Sequence, residues 1–202
     1  LVGSEMCIRD SSYDAAGLLR QAITEQGSSD YICNSFGYRV SEHTRFVDGR
    51  ESSQQIQYDY TKNYNNALTA VESGCSHNYI WDNMLVAQKT DKSIFIMHDE
   101  KMSPLFEFDR DHCYEGGLYD TFGNTLRQGQ QGVQFGFCGY RKDRLTGLEH
   151  VGIREYSAKA GRFLSRDVIP GTMVTSLSVN SYLYLSFIHI SEPTRLRCIS
   201  YA

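Results

Sequence analysis

Two segments with one shared pattern constrain this chain more than its composition does. Tyr13-Asp14-Ala15-Ala16-Gly17-Leu18-Leu19 and Tyr119-Asp120-Thr121-Phe122-Gly123-Asn124-Thr125 both read Tyr-Asp-x-x-Gly-x-x. Looser copies occur at Asn34-Ser35-Phe36-Gly37-Tyr38, at Tyr58-Asp59 without the glycine, at Trp81-Asp82-Asn83-Met84-Leu85, and at Tyr156 with Gly161-Arg162-Phe163-Leu164. An Asp or Asn side chain bonds the backbone two residues on, and glycine supplies a positive φ, so each copy reads as a turn. Flanks such as Arg39-Val40-Ser41 and Ile56-Gln57-Tyr58 alternate in a way that suits a pleated surface. Iterated strand, turn and strand gives a row of antiparallel hairpins. No such unit buries a face alone, so the units stack. Ala15 to Thr24 and Asn66 to Glu72 carry some helical composition, but both are short and the first contains Gly17. The fold class that follows is all-β, an array of antiparallel β-hairpins. Polar loops are expected around Ser28-Ser29, Asp48-Gly49-Arg50, Ser73-Gly74 and Gly129 to Gly132.

Composition narrows the function classes. Of 202 residues, 41% are hydrophobic and 22% charged, a globular mix rather than a disordered one. The run Ile94-Phe95-Ile96-Met97 is far short of the roughly 20 apolar residues that cross a bilayer. The net charge of −4 supplies no basic face for a nucleic acid. Neither a membrane span nor a nucleic-acid partner is expected.

The two ends read as one piece of DNA translated in opposite directions. LVGSEMCIRDS at 1–11 back-translates to a segment whose reverse complement encodes LSLIHISEPTR, and 185–195 read LSFIHISEPTR. That is the signature of a sequencing-library adapter, and Ile199-Ser200-Tyr201-Ala202 continues it. Residues 1–11 and 185–202 are therefore set aside as adapter-like, leaving an internal fragment at 12–184.

Within that fragment, residues 135–168 read FGFCGYRKDRLTGLEHVGIREYSAKAGRFLSRDV. This resembles the closing segment of RHS or YD-repeat proteins, the RHS repeat-associated core. Its pattern runs R-F-x-G-Q-x-Y-D-x-x-T-G-L-x-Y-x-x-x-R-Y-Y-D-P-x-x-G-R-F-x-S-x-D. Phe137, Gly139, Asp143, Thr146-Gly147-Leu148, Arg154, Tyr156, Gly161-Arg162-Phe163, Ser165 and Asp167 match it. Upstream, Trp81-Asp82, His98-Asp99 and Tyr119 to Leu126 resemble the family's repeat units, and Asn180 to Tyr184 its following strand. Departures mark a divergent member. Ser157-Ala158 stand for Asp-Pro, Val168 for Pro, and Lys142 for Tyr, and the His98-Asp99 turn lacks its Leu-Gly. The resemblance implies part of a coiled β-sheet shell, with YD-repeat hairpins at 12–134 and the core segment at 135–184. It implies a secreted or cell-surface protein that encapsulates or presents a C-terminal toxin or effector domain of the same polypeptide. Secretion machinery or a target-cell surface would be a further partner. A surface adhesion or carbohydrate-binding module is the alternative, with Trp81 and the tyrosines stacking on sugar rings.

The resemblance also points to Asp143 and Asp167 as a catalytic pair. In some shell toxins, carboxylates at these positions form an aspartic-type autoprotease. Two close carboxylates share one proton, so one activates water and the other protonates the leaving amine. The simpler reading has Asp143 closing a turn beside Arg144 and Thr146, and Asp167 pairing with Arg162 or Arg166. The chain is otherwise expected to be non-catalytic. His43, His77, His98, His112 and His150 show no metal-binding spacing. Cys33, Cys75, Cys113 and Cys138 lack a C-x-x-C and are expected as buried free thiols. His98-Asp99 reads as a turn, and Arg141-Lys142-Arg144 as a solvated hairpin edge. No cofactor, phosphate loop or nucleophile elbow is indicated.

Overall fold

In a computed structural model of the chain, residues 8–61, 66–130, 133–166 and 182 are described. Eleven strands form one antiparallel sheet in strict sequence order. They are β1 (Ile8–Tyr13), β2 (Leu19–Thr24), β3 (Gly27–Cys33), β4 (Arg39–Phe46), β5 (Glu51–Asp59) and β6 (Asn66–Glu72), followed by β7 (Cys75–Trp81), β8 (Leu85–Lys89), β9 (Ser93–His98), β10 (Pro104–Phe108) and β11 (Cys113–Glu115). A two-stranded ribbon, β12 (Leu118–Tyr119) with β13 (Thr125–Arg127), follows. After a single 3-10 turn at Phe137–Gly139 comes a four-stranded sheet of β14 (Arg141–Lys142), β15 (Glu149–Val151), β16 (Arg154–Ser157) and β17 (Arg162–Phe163). The all-β hairpin array read from the sequence is what forms. Residues 8–11, set aside on sequence grounds, pair with β2 through their backbone, their side chains exposed or half-exposed.

The two margins of the large sheet differ. Along one lie the turns at Asp14, Asn34 and Asp99, in which a single side-chain oxygen accepts two backbone amides; at the other, Asp109 Oδ1 does the same for Asp111 and His112 at 2.9 and 2.8 Å. Asp14 Oδ1 takes Ala16 and Leu18 N–H at 2.9 and 3.0 Å, and Asn34 Oδ1 takes Phe36 and Tyr38 at 3.0 Å each. Asp99 Oδ1 takes Lys101 and Ser103 at 2.9 and 2.8 Å. In the ribbon, Asp120 Oδ1 takes Phe122 and Asn124 at 2.9 Å each. Three residues after the acid the backbone turns left-handed, at Gly17, Gly37 and Gly123 with φ of +78°, +87° and +90°. The Asp99 turn carries Met102 there, at φ +66°, in place of the missing glycine.

The strand pairing beside these turns is irregular. Every hairpin closed at the first margin, and the β12–β13 ribbon, slips register just beside its turn, between Ser12 and Tyr13, Ile32 and Cys33, Gln57 and Tyr58, Ile80 and Trp81, Pro104 and Phe106, and Leu118 and Tyr119. The pairings β2–β3, β4–β5, β6–β7, β8–β9 and β10–β11, closed by tight turns at the opposite margin, show no slip. A bulge bends its strand and adds right-handed twist, so bulges repeated at one margin coil the sheet. The aromatic donors then stitch neighbouring hairpins at these irregular places. Tyr58 O–H donates to the Arg39 carbonyl at 2.9 Å, and Trp81 Nε1–H to the Ala67 carbonyl at 2.6 Å.

Alternation buries one face of the large sheet. Ala22, Tyr31, Ile56, Ala70, Tyr79, Leu85, Ile94 and Ile96 lie on it, beside the buried polar Ser29, Glu42, Thr44 and Gln54. Residues 133–163 dock against this face. Phe135 sets its ring edge-on to Tyr79 and Trp81, with centroids 5.0 and 5.1 Å apart. Phe137, Cys138, Tyr140, Val151, Tyr156 and Phe163 form a second cluster on the far side of the small sheet. Ser28-Ser29, expected as a loop, lies inside β3, because Ser29 buries its hydroxyl against Thr44 Oγ1 at 2.6 Å. The expected turns at Asp48-Gly49-Arg50 and Ser73-Gly74 form. Of the four cysteines among the described residues, only Cys138 is buried; Cys75 and Cys113 are exposed and Cys33 is intermediate, and these four are free thiols.

Candidate functional site

The small sheet presents opposite chemistries on its two faces. Lys142, Glu149, Tyr156 and Phe163 stand in one cross-strand row, and Arg141, His150 and Glu155 in the next. The second row faces the large sheet, so charges rather than aliphatic side chains join the layers there. Arg39, at the start of β4, is 1% exposed and reaches three carboxylates. Its Nη1–H donates to Asp143 Oδ2 at 2.7 Å and weakly to Glu42 Oε2 at 3.5 Å, and its Nη2–H to Glu155 Oε1 at 2.8 Å. Its guanidinium also lies 3.8 Å from the centre of the Tyr31 ring, a cation–π contact. Arg141 Nη2–H donates to Glu42 Oε2 and to Gln54 Oε1, both at 2.7 Å, and His150 Nδ1 lies 2.8 Å from Glu155 Oε1.

Asp143 belongs to the same family of turns as Asp14 and Asp120. Its Oδ1 accepts the amides of Leu145 and Thr146 at 3.0 and 2.8 Å. What differs is Oδ2, which is turned inward to accept both Tyr31 O–H and Arg39 Nη1–H at 2.7 Å. Burial alone would raise the pKa of Asp143, but Arg39, the Thr146 amide and the Tyr31 hydroxyl together hold it below the ordinary carboxylate range. Burial would likewise raise Glu155, and Arg39 and His150 outweigh it. Against its own burial, the carboxylates of Glu155, Asp143 and Glu42 hold Arg39 protonated. The arrangement keeps Asp143 an anion with four donors on its two oxygens. A cleft of about 460 Å³ opens beside the Asp143 turn, lined by Tyr119, Gln134, Lys142 and Arg144 among others. Asp143 is among the lining residues, but its side chain is fully buried, with Oδ2 held by Arg39.

The other residues singled out in the sequence are placed as follows. Asp167 lies outside the described residues, so its distance from Asp143 is not part of this geometry. The Arg141-Lys142-Arg144 stretch is not a solvated edge. Arg141 is buried on Glu42, Lys142 donates to Thr125 Oγ1 at 2.8 Å, and Arg144 pairs with Glu72 rather than with Asp143. Trp81 is half-buried, its ring packed on Phe135 and its N–H spent on Ala67. His98-Asp99 forms a turn, and burial lowers the His98 imidazole below its ordinary value. Among the described residues, no three His, Cys, Asp or Glu side chains gather as metal ligands. Arg39, Glu42, Tyr31 and Glu155 escape sequence reasoning, because their partners lie about a hundred residues away and no local spacing marks them.

Comparison with known proteins was made on sequence and on fold. No curated protein matches the chain by sequence. Solved structures similar in fold include the TcdB2-TccC3 crystal structure, with a TM-score of 0.65 and 17% identity over 86% of this chain and 10% of that one. The TcdB2-TccC3-TEV crystal structure gives 0.66 and 15% identity over 94% of this chain and 10% of that chain. A Photorhabdus luminescens Tc holotoxin pore carrying the TccC3 mutation D651A gives 0.65 and 15% over 86% and 9%. The chain thus spans about a tenth of the length of these solved chains, and the likeness is one of shell fold. The family model described as Teneurin YD-shell matches residues 9–184, nearly the whole chain. The chain belongs to the teneurin YD-shell family.

Proposed function

We propose that this chain is a structural segment of an exported YD-shell protein that encloses or presents a C-terminal effector domain of the same polypeptide. In this reading residues 12–134 are wall, residues 135–184 are closure, and the role is non-catalytic. The observation that carries it is the charged junction between the two layers. Arg39 of the wall is sealed against Asp143 and Glu155 of the closing segment, with all three side chains at least nine-tenths buried. Such a junction fixes one docking geometry, since any shifted arrangement strands a buried charge. The toxin complexes named among the similar structures, and their shell fold, support an effector partner and an extracellular setting. Limited proteolysis of the uninterrupted protein tests the reading. The region after residue 184 is expected to resist protease in the intact protein and to become cleavable in Arg39→Met. Equal cleavage in both would refute enclosure.

A second reading, self-cleavage by Asp143 with Asp167, rests on the family resemblance. The four donors on Asp143 oppose it, because a carboxylate that activates water needs a free lone pair facing the scissile bond. Intact-mass analysis of the uninterrupted protein beside Asp143→Asn and Asp167→Asn decides. One uncut mass in all three removes the protease, and a cut confined to the unsubstituted protein establishes it.

A further inference from the structure

We propose that Glu149 makes the docking of the closing segment depend on a proton: the segment is held while the Glu149 carboxyl is neutral and loosens when that proton leaves. Glu149 occupies the second strand of the small sheet, with Lys142 opposite it on β14 and Tyr156 opposite it on β16. It is 1% exposed, and neither carboxylate oxygen has a hydrogen-bond partner. This is the reverse of Asp143, whose two oxygens accept four bonds.

The titratable groups around Glu149 are Lys142 on β14, Glu155 and Tyr156 on β16, and Tyr119 on β12. Two cations share this face: Lys142, whose ammonium is engaged with Thr125, and the buried Arg154 on β16, whose guanidinium lies 3.7 Å from the centre of the Phe163 ring. Glu155, held ionised by Arg39, repels a second negative charge. Burial first, and Glu155 second, push the Glu149 carboxyl up to about 8, with Lys142 opposing. An ionised Glu149 therefore lacks donors in place and gains them by reaching water, which requires β14–β16 to part from the aromatic cluster of Phe137, Tyr156 and Phe163. The opposite face of these strands carries the contacts to Arg39 and Glu42, so the same movement unseats the closing segment.

The sign follows from linkage. A carboxyl raised in the folded state stabilises fully below its unfolded value, loses that contribution progressively up to its folded value, and is level above it. Hydrogen-exchange protection of the β14–β16 amides, corrected for intrinsic rates, is expected to fall about tenfold per pH unit between about pH 5 and about pH 8. In Glu149→Gln the slope should vanish. In His150→Gln, which removes the imidazole bonded to Glu155, it should persist. Trp81, the single tryptophan, sits on Phe135 of the closing segment, and its emission reports the same event. An unchanged slope in Glu149→Gln, or its disappearance in His150→Gln, overturns the proposal. A carbon-13 titration of the Glu149 carboxyl in the unsubstituted chain needs no variant to fold. A midpoint above about 7 is expected, and one near the ordinary glutamate value of about 4.3 refutes it.

Discussion

Replacing Arg39 by methionine removes the guanidinium that joins the large sheet to Asp143 and Glu155 and keeps most of the aliphatic length. In the structure the guanidinium makes two short bonds, to Asp143 at 2.7 Å and Glu155 at 2.8 Å. At an effective dielectric constant of about 20 and charge centres about 4 Å apart, each attraction is worth about 4 kcal/mol. Desolvation of three buried ions offsets most of that sum, so the net worth of the cluster is small. Truncation is a different quantity. It leaves two carboxylates buried without their cation, and the expected loss is about 3–5 kcal/mol. That is a large share of the roughly 5–15 kcal/mol of a typical domain, yet it leaves a measurable folded state. Asp143→Asn also costs, because one oxygen of the amide keeps the turn while its N–H₂ must face the Tyr31 and Arg39 donors. The double variant Arg39→Met/Asp143→Asn removes the buried charge and one facing donor together, so its cost should fall short of the sum by about 2 kcal/mol. Urea unfolding followed by Trp81 emission gives all four corners of the cycle. Costs that add to within about 0.5 kcal/mol would refute the claim that these residues act as one junction.

Other outcomes follow from single positions. Ser73 adopts φ +49° ahead of Gly74 at +85° in an exposed tight turn, so Ser73→Asn should raise stability by about 0.5–1 kcal/mol in urea unfolding. A Cβ on Gly27 would overlap the Arg45 carbonyl oxygen of the neighbouring strand. Gly27→Ala should therefore cost more than about 2 kcal/mol and expose the β3–β4 amides to exchange. On the acid side, Asp143 and Glu155 are held below their ordinary values, so their contribution is full above about pH 4 and drains as pH falls through the folded values. Thermal unfolding between about pH 6 and about pH 3 should show that loss, and Arg39→Met should flatten it.

The turns were legible because their chemistry is local. Asp14, Asn34, Asp99 and Asp120 each bond amides within four residues, and the glycine that completes three of them is written beside them. Strand assignments at 19–24 and 66–72 prevailed over helical composition because neighbouring hairpins pair them on both sides. The junction was illegible for the opposite reason. Asp143 reads locally as a turn residue, which it is, but its second oxygen is assigned by Arg39 and Tyr31 across more than a hundred residues. Nothing in Arg39-Val40-Ser41-Glu42 marks the arginine as buried. Ser28-Ser29 misleads as loop composition because two hydroxyls, Ser29 and Thr44, satisfy each other inside a sheet. Glu149 carries no local mark at all, since an unpartnered carboxyl is a property of what surrounds it.

A register slip at the same margin in each hairpin closed there makes curvature a local quantity. Each repeat carries its own increment of bend, independent of how many repeats precede or follow it. Whole hairpins can therefore be gained or lost, changing the extent of the sheet, without redesigning those that remain. The tight-turn margin, where pairing stays regular, is then the side on which loop length is free to drift.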